Sequence, residues 1–256
     1  MGGCSGTAWV NTGVVEEAAE IGVAVIRGIL TSEEIAMARR TVEANLHLLR
    51  NTRPTVSAGH LAGFHRYPVL EPLHQLLTGN DRVRRHAAAL CDRDARTIGL
   101  SDITVNRSQP WHKDLLRGRF AVHLGVDDPC RRWHGTVYKF LAYLQPSVSL
   151  QVVAGSHRQD IPLTDDSEAF PDEAADVRTI PVQAGDVVVL DICATHRGAD
   201  ESAYWGSDIF EDAKILASTV FGSADSPLTD ALETGNAIRQ AAWMERCRSL
   251  PPPMLR

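Results

Sequence analysis

The sequence has no apolar stretch long enough to cross a lipid bilayer, since a spanning helix needs about 20 such residues in a row. Its first residues, MGGCSGTAWVNTG, also lack the basic and then apolar order of a secretory signal peptide. We therefore expect a cytoplasmic protein with no membrane partner.

Cysteine is scarce and scattered. None of the 5 cysteines stands in a C-x-x-C pair, which argues against a zinc knuckle, a redox dithiol or a disulfide framework. The sequence also lacks the G-x-S-x-G turn of serine hydrolases and both glycine-rich phosphate loops, G-x-x-x-x-G-K-S/T and G-x-G-x-x-G. These absences disfavour serine hydrolysis and nucleotide binding through such loops.

An excess of positive charge is absent as well. With 26 Lys and Arg against 32 Asp and Glu, the formal net charge is -6 at pH 7. The chain as a whole therefore has no electrostatic footprint for nucleic acid, although a local basic patch around Arg131 and Arg132 stays compatible with this balance. We expect a small-molecule substrate and no nucleic-acid partner, and the sequence leaves the oligomeric state open.

The apolar pattern divides the chain into three parts of one expected domain, residues 1–256. Residues 1–100 are mainly helical by pattern, and Thr31 with Glu34 forms a capping box before a long helix. Residues 101–222 hold short β-type runs such as ITVNRS, RFAVHLGV, TVYKFLAYLQ and DVVVLDI. No crossover helices separate these runs, so a sandwich or a jelly roll is favoured over a parallel sheet. Residues 223–256 are typical of a closing helix and a tail.

A candidate metal site lies inside the β-rich part. In QPWHKDLL, His112 and Asp114 are two positions apart at the edge of a β run, where side chains at i and i+2 share one face. His196, which follows the apolar run in DVVVLDICATHRG, offers a third ligand. Two imidazoles and one carboxylate leave positions open on iron(II), whereas a structural zinc site is closed by a fourth protein ligand. H-x-D alone is a weak signal in a chain with 10 histidines.

Four separated segments resemble, in the same order, one enzyme family. IGVAVIRGILTSEEIAMAR resembles its opening strand, turn and helix, and QPWHKD resembles its proximal ligand motif. LQVVAGSHR resembles a strand followed by Pro-Gly-Ser-His, with Ala154 in place of the proline, and AGDVVVLDICATHRG resembles the distal strand with its metal-binding histidine. The family is the phytanoyl-CoA dioxygenase-like branch of the Fe(II)- and 2-oxoglutarate-dependent oxygenases, and the resemblance covers about residues 13–222.

The resemblance implies a mainly β fold with flanking helices and a double-stranded β-helix core, also called a jelly roll and cupin-like. It implies iron(II) held by His112, Asp114 and His196, with 2-oxoglutarate and dioxygen as co-substrates and Gln109 helping to seat 2-oxoglutarate. Hydroxylation of a small molecule with release of succinate and carbon dioxide is the default reaction, and secondary metabolism is the expected setting. Asp114 argues against halogenation, because related halogenases have a small residue there.

The chain departs from the family at the far carboxylate of 2-oxoglutarate. Relatives hold it with an Arg on the strand after the distal histidine, but no Arg follows Arg197 until Arg239, in the predicted C-terminal helix. Lys214, which opens KILASTVFG, is the favoured substitute, and Lys139, in VYKFLAYLQ, is the competitor. Because this Arg is missing, two alternative functions stay open: an iron oxygenase that does not use 2-oxoglutarate, and a non-catalytic cupin-like metal-binding module.

Three further residues are candidates for substrate binding. Trp111 and Tyr138, like Trp205, either line a pocket or belong to an aromatic core. Arg107 either contacts a polar substrate or is a solvated loop charge. Because this chemistry needs a site closed to water, we expect a lid formed by the helical first hundred residues and by the acidic loop of residues 158–177.

Overall fold

The computed structural model describes residues 10–51, 57–115, 118–160, 175–198 and 209–256. Trp205 and most of the acidic loop lie outside these described residues. The helices are α1 (Thr12–Ile21), α2 (Ser32–Ala44), α3 (Glu71–Thr78), α4 (Asp81–Leu90), α5 (Pro129–Trp133) and α6 (Pro227–Cys247). The strands are β1 (Val23–Ile26), β2 (Gly59–Ala62), β3 (Ala95–Val105), β4 (Gln109–His112), β5 (Val137–Tyr143), β6 (Leu150–Val153), β7 (Val177–Thr179), β8 (Val187–Asp191), β9 (His196–Gly198) and β10 (Ile215–Ser223).

The strands form two antiparallel sheets. The larger sheet has the order β1-β8-β5-β10-β3-β2, and the smaller sheet has the order β4-β9-β6-β7. From β3 onward the chain passes back and forth between them, so that β3, β5, β8 and β10 lie in one sheet and β4, β6, β7 and β9 in the other. This arrangement confirms the double-stranded β-helix core predicted from the sequence.

The larger sheet is buried on both faces, and β5 shows how its side chains alternate. Phe140 and Ala142 point outward into a cluster formed with helices α1 to α4, which we call the outer cluster. Leu141 and Tyr143 point inward, against the smaller sheet, into an inner cluster. Members of the outer cluster from the helices include Val14, Ala18, Ala38, Val42, Leu73, Leu77, Val83 and Ala87.

Local sequence signals account for the helix ends. The predicted capping box at the start of α2 is present, because Glu34 N donates to Thr31 Oγ1 over 3.2 Å and Thr31 N donates to Glu34 Oε2 over 2.8 Å. Asn80 caps α4, since its Oδ1 accepts from Arg82 N over 2.9 Å. These bonds satisfy amide groups that lack partners inside the helix.

One predicted strand is wrong. RFAVHLGV was expected to be a β run, but Gly118–Leu124 is a 3₁₀ helix. Gly118 and Gly125, at its two ends, both have a positive φ, which turns the backbone away from an extended path. Phe120 and Leu124 pack instead into a small cluster with Leu228 and Leu232 of α6.

The described residues include no helix that is both long and apolar enough to cross a membrane. The first hundred residues place α1 to α4 against the outer face of the larger sheet. Helix α6 packs beside the 3₁₀ helix Gly118–Leu124 and β3. Of the described residues that line the cavity at the candidate metal site, none belongs to α1–α4, so the predicted lid role of these helices is not supported.

Candidate metal centre

His112, Asp114 and His196 come together at one end of the β-helix. His112 ends β4 and His196 begins β9, and the two residues face each other across the antiparallel pair. Their ring centroids are 4.3 Å apart. Asp114 lies beyond the end of β4, so a turn rather than strand alternation brings it to the histidines. The ligand atoms of the three residues all lie within 4.8 Å of one another.

Backbone carbonyls fix how the two imidazoles are presented. His112 Nδ1 is 2.7 Å from Pro110 O, and His196 Nδ1 is 3.0 Å from Ala194 O. A carbonyl oxygen can only accept a hydrogen bond, so in the neutral form of each ring the proton lies on Nδ1 and the lone pair lies on Nε2. These lone pairs face Asp114, with Nε2 to carboxylate distances of 3.5 Å for His112 and 3.7 Å for His196.

The protonation states suit a divalent cation. Burial, followed by the neighbouring His112, lowers the pKa of His196 to about 3. Burial alone would raise the pKa of Asp114, but the Lys139 ammonium beside it holds that pKa well below its usual value. His112 Nε2 is buried and has no hydrogen-bond partner among the described residues. A buried imidazole nitrogen without a hydrogen-bond partner, beside a second imidazole nitrogen and a carboxylate, fits a metal ion.

Lys139 contacts one of the proposed ligands directly. It lies on the inner face of β5, and its Nζ donates to Asp114 Oδ2 over 2.8 Å. An ammonium at this place neutralises the carboxylate and holds it toward the two histidines. Lys139 therefore lies at the metal end of the barrel.

Lys113, between two proposed ligands, was not singled out in the sequence. Its side chain is fully buried, and its Nζ donates to Ser156 O over 2.6 Å and also to Cys193 O. Cys193 lies in the loop that leads into His196, while the Ser156 hydroxyl accepts from Thr195 N over 2.8 Å. Lys113 thus ties the loop of the proximal ligands to the loop of the distal one.

A cavity of about 360 Å³ opens beside the three residues. Of the predicted cofactor residues, Gln109 and Lys139 line it. The sequence did not point to two further charged lining residues, Asp102 of β3 and Arg239 of α6. No local motif marks either one, because the docking of α6 on β3 brings them together. The remaining lining residues are Leu100, Pro110, Lys113, Leu115 and Phe120 with the ligands His112 and Asp114.

The three predicted substrate residues are not among the described residues that line this cavity. Trp111 points to the other side of β4, where the Arg197 guanidinium lies 4.8 Å from the centre of its ring. Tyr138 faces outward and belongs to the outer cluster. Arg107 lies outside the lining as well. Their positions do not support direct contact with a substrate in this cavity.

Lys214 is buried at the opposite end of β10 from the metal site. Val220 of β10 pairs with Lys139, and Leu216 pairs with Tyr143 farther along. Lys214 precedes Leu216 by two positions and so shares its inward face. Its Nζ donates to Ser149 Oγ over 3.1 Å, between the two sheets.

No protein-family model matches the sequence, and no curated protein matches it. Solved structures do match. The non-heme alpha ketoglutarate dependent epimerase SnoN from nogalamycin biosynthesis is 18% identical, with a TM-score of 0.62 over 83% of this chain and 83% of that one. AviO1 from Streptomyces viridochromogenes Tue57 is 18% identical, with a TM-score of 0.59 over 86% of this chain and 99% of that one. HygX from Streptomyces hygroscopicus, solved with nickel, 2-oxoglutarate and hygromycin B, is 18% identical, with a TM-score of 0.57 over 83% of this chain and 87% of that one.

Identity at this level shows the fold. The structural likeness agrees with the resemblance carried by the four sequence segments. This chain therefore has the jelly-roll fold of the non-heme alpha ketoglutarate dependent enzymes.

Proposed function

We propose that this chain is an iron(II)- and 2-oxoglutarate-dependent dioxygenase that oxidises a small molecule, with release of succinate and carbon dioxide. The observation that carries the proposal is the buried set of His112, Asp114 and His196, with lone pairs of both Nε2 atoms directed at the carboxylate. Three protein ligands of this kind leave coordination positions for a bidentate keto acid and dioxygen.

The chain's own residues hold and orient the reactants. His112, Asp114 and His196 would bind iron(II), which when bound supplies the activation of dioxygen at the expense of the keto acid. Lys139 keeps Asp114 ionised and turned toward the two imidazoles. Gln109, on the cavity wall beside them, offers its amide to the keto acid. The apolar wall at Leu100 and Phe120 excludes water from the reacting atoms.

For the far carboxylate of 2-oxoglutarate we favour Lys214 over Lys139. The Lys139 ammonium donates to the carboxylate of a proposed metal ligand, Asp114, over 2.8 Å, whereas the Lys214 ammonium donates to the neutral hydroxyl of Ser149 over 3.1 Å. Lys214 lies buried between the two sheets, on the inward face of the larger one. Its buried ammonium is a point charge that suits a carboxylate.

The setting we propose is the biosynthesis of a secondary metabolite. SnoN has been solved with nogalamycin RO and HygX with hygromycin B. Hydroxylation is the simplest outcome, but a carbocyclase, SnoK, and the epimerase SnoN share the fold. The product must therefore be identified by mass before the reaction is named.

The test is an anaerobic titration of the Fe(II)-loaded protein with 2-oxoglutarate, followed by the weak visible metal-to-ligand band. We expect the band in the wild type and its loss in His112→Ala. Lys214→Ala should bind iron as the wild type does but lose the band, whereas Lys139→Ala, which removes the partner of Asp114, should weaken iron binding itself. Loss of the band in Lys139→Ala with iron still bound, together with a normal band in Lys214→Ala, would transfer the carboxylate role to Lys139. Iron binding without a band would favour the oxygenase that does not use 2-oxoglutarate, and absence of iron binding would favour the non-catalytic module.

A further inference from the structure

Arg239 enters the cavity of the candidate metal centre from outside the β-helix. It lies on α6, and it lines the same cavity as His112 and Asp114. Its Nε donates to Asn236 Oδ1 over 3.0 Å, and its Nη2 lies 3.6 Å from Asp102 Oδ1. Asn236 is itself fixed, because its amide donates to Gly99 O. The guanidinium is therefore held in one orientation before any ligand arrives.

One donor of this guanidinium is unused. Nη2 is buried and has no hydrogen-bond partner among the described residues, and its 3.6 Å separation from Asp102 is too long for a hydrogen bond. A buried donor without an acceptor is costly, and it is rare in a folded protein unless a ligand or an ordered water completes it. Arg239 lines a cavity of about 360 Å³ that is large enough for a small molecule.

The charges around Arg239 favour an anion. Burial would raise the pKa of Asp102, but Arg239, His60 and Lys139 together hold that pKa below its usual value. Burial, followed by the charge of Arg107, lowers the pKa of His60 to about 4, so His60 is neutral at pH 7. Among the described residues, the cavity lining thus carries three basic side chains, Lys113, Lys139 and Arg239, against the two carboxylates Asp102 and Asp114, an excess of one positive charge.

The position of Arg239 separates it from the proposed site of the keto acid. Its side chain is 30% exposed, whereas Lys214 lies buried between the sheets. The same cavity has an apolar wall formed by Leu100, Leu115 and Phe120. A molecule bound in this cavity beside the metal ligands would thus meet a guanidinium and an apolar surface.

We propose that the primary substrate carries a carboxylate that binds Arg239, with an apolar body against Leu100, Leu115 and Phe120. A carboxylate matches the planar guanidinium and balances a single charge. A phosphate dianion does not, because Asp102 already offsets part of the positive charge. This inference names the substrate class of the proposed oxygenase and so rests on the function proposed above.

The test uses protein loaded with Ni(II), which is not oxidised in air, and saturated with 2-oxoglutarate. Loading is first confirmed by its own calorimetric titration, so that failure of the proposed function is seen separately. The probes are 3-phenylpropanoate, 4-phenylbutanoate and indole-3-acetate, each compared with its primary amide by calorimetry. We expect at least one acid to bind roughly tenfold or more tightly than its amide, as a charge-assisted hydrogen bond predicts.

Substitutions at Arg239 test whether this residue causes the preference for the acid over its amide. Arg239→Met should bind the acid and the amide equally. Arg239→Lys should keep a reduced preference for the acid, because lysine retains the positive charge but lacks the planar pair of donors of a guanidinium. Arg66→Met is the matched control, because Arg66 contacts α6 through Gln240 Oε1 but does not line the cavity. If Arg239→Met does not fold, Arg239→Lys carries the comparison. The proposal is wrong if no acid binds better than its amide in the wild type, or if the preference survives unchanged in the Arg239 variants.

Discussion

The outer face of the six-stranded sheet is covered by α1 to α4, whereas its inner face closes over the candidate metal centre. On β5, Tyr138 and Phe140 point outward into the outer cluster, and Lys139, between them, donates to Asp114. Residues one position apart on the same strand therefore belong to regions with different tasks. The outer face stabilises the fold by excluding water, while the inner face keeps charged groups in place for a ligand.

Removing a proposed metal ligand is the strongest test of this division. His112→Ala deletes a nitrogen whose lone pair faces Asp114 at 3.5 Å. We expect the affinity of this variant for Ni(II) or Co(II) to fall by more than roughly 10- to 100-fold, which is the loss typical when a residue that hydrogen-bonds to a metal ligand is replaced. Calorimetric titration measures this loss. Thermal unfolding of the metal-free variant should stay close to wild type, and a collapse of its fold would contradict the separation of tasks.

The complementary test is a substitution on the outer face of the sheet, which should affect stability and not metal binding. Phe140 is fully buried and packs edge to face against Phe221, with 5.0 Å between ring centroids. Phe140→Ala should lower the free energy of unfolding by about 3 to 5 kcal/mol through the cavity it leaves. Urea unfolding measures the loss.

Metal affinity per folded Phe140→Ala molecule should match that of the wild type. Phe140→Leu, which keeps most of the volume, is the milder control. If either variant weakened metal binding as His112→Ala does, the two faces could not be treated as separate.

Lys113 combines features of His112 and Phe140, because it is buried like a core residue but linked to the loops of the metal ligands. Lys113→Met removes the side-chain donor to Cys193 O and one of two donors to Ser156 O, which also accepts from Gln159 N over 3.1 Å. We expect about 1 to 3 kcal/mol of lost stability and roughly tenfold weaker binding of Co(II). The visible spectrum of the Co(II) protein should also change, since the two ligand loops lose their tie. Unchanged affinity and spectrum would reduce Lys113 to a structural role.

The sequence predicted the proposed ligands more readily than the residues around them. H-x-D and the apolar run before His196 are local signals, and the structure brings their three side chains together. The capping box of α2 could also be predicted from the sequence, because it depends on two residues three positions apart. Such features need no knowledge of how distant elements pack.

The residues of the cavity wall could not be predicted from local sequence patterns. Every position of β5 is at least partly buried, so hydrophobic alternation does not reveal that Lys139 faces inward and Tyr138 outward. Arg239 reaches the cavity only because α6 docks on β3, far along the chain from the ligands. Polar groups placed by tertiary packing leave no signature in local periodicity.

The smallest expected effect concerns a titratable group on the inner face, away from the metal ligands. His60 Nε2 lies 3.2 Å from Asp102 Oδ1, and burial, followed by Arg107, lowers the pKa of His60 from 6.5 to about 4. Between these two values the unfolded chain binds a proton that the folded chain does not. The free energy of unfolding should therefore fall as the pH drops from 6.5 toward 4, and the contribution of His60 should be intact above 6.5.

His60→Gln isolates this contribution from other titrating groups. Asp191 acts in the opposite direction, because burial raises its pKa to about 6, but it is common to both proteins. Between pH 6.5 and pH 5, the metal-free wild type should lose roughly 1 to 2 kcal/mol more than His60→Gln, measured by urea unfolding. Equal losses would mean that His60 takes up its proton as readily in the folded protein as in the unfolded chain. The inner face would then be open to water at β2, and its charges would be screened rather than held in place for a ligand.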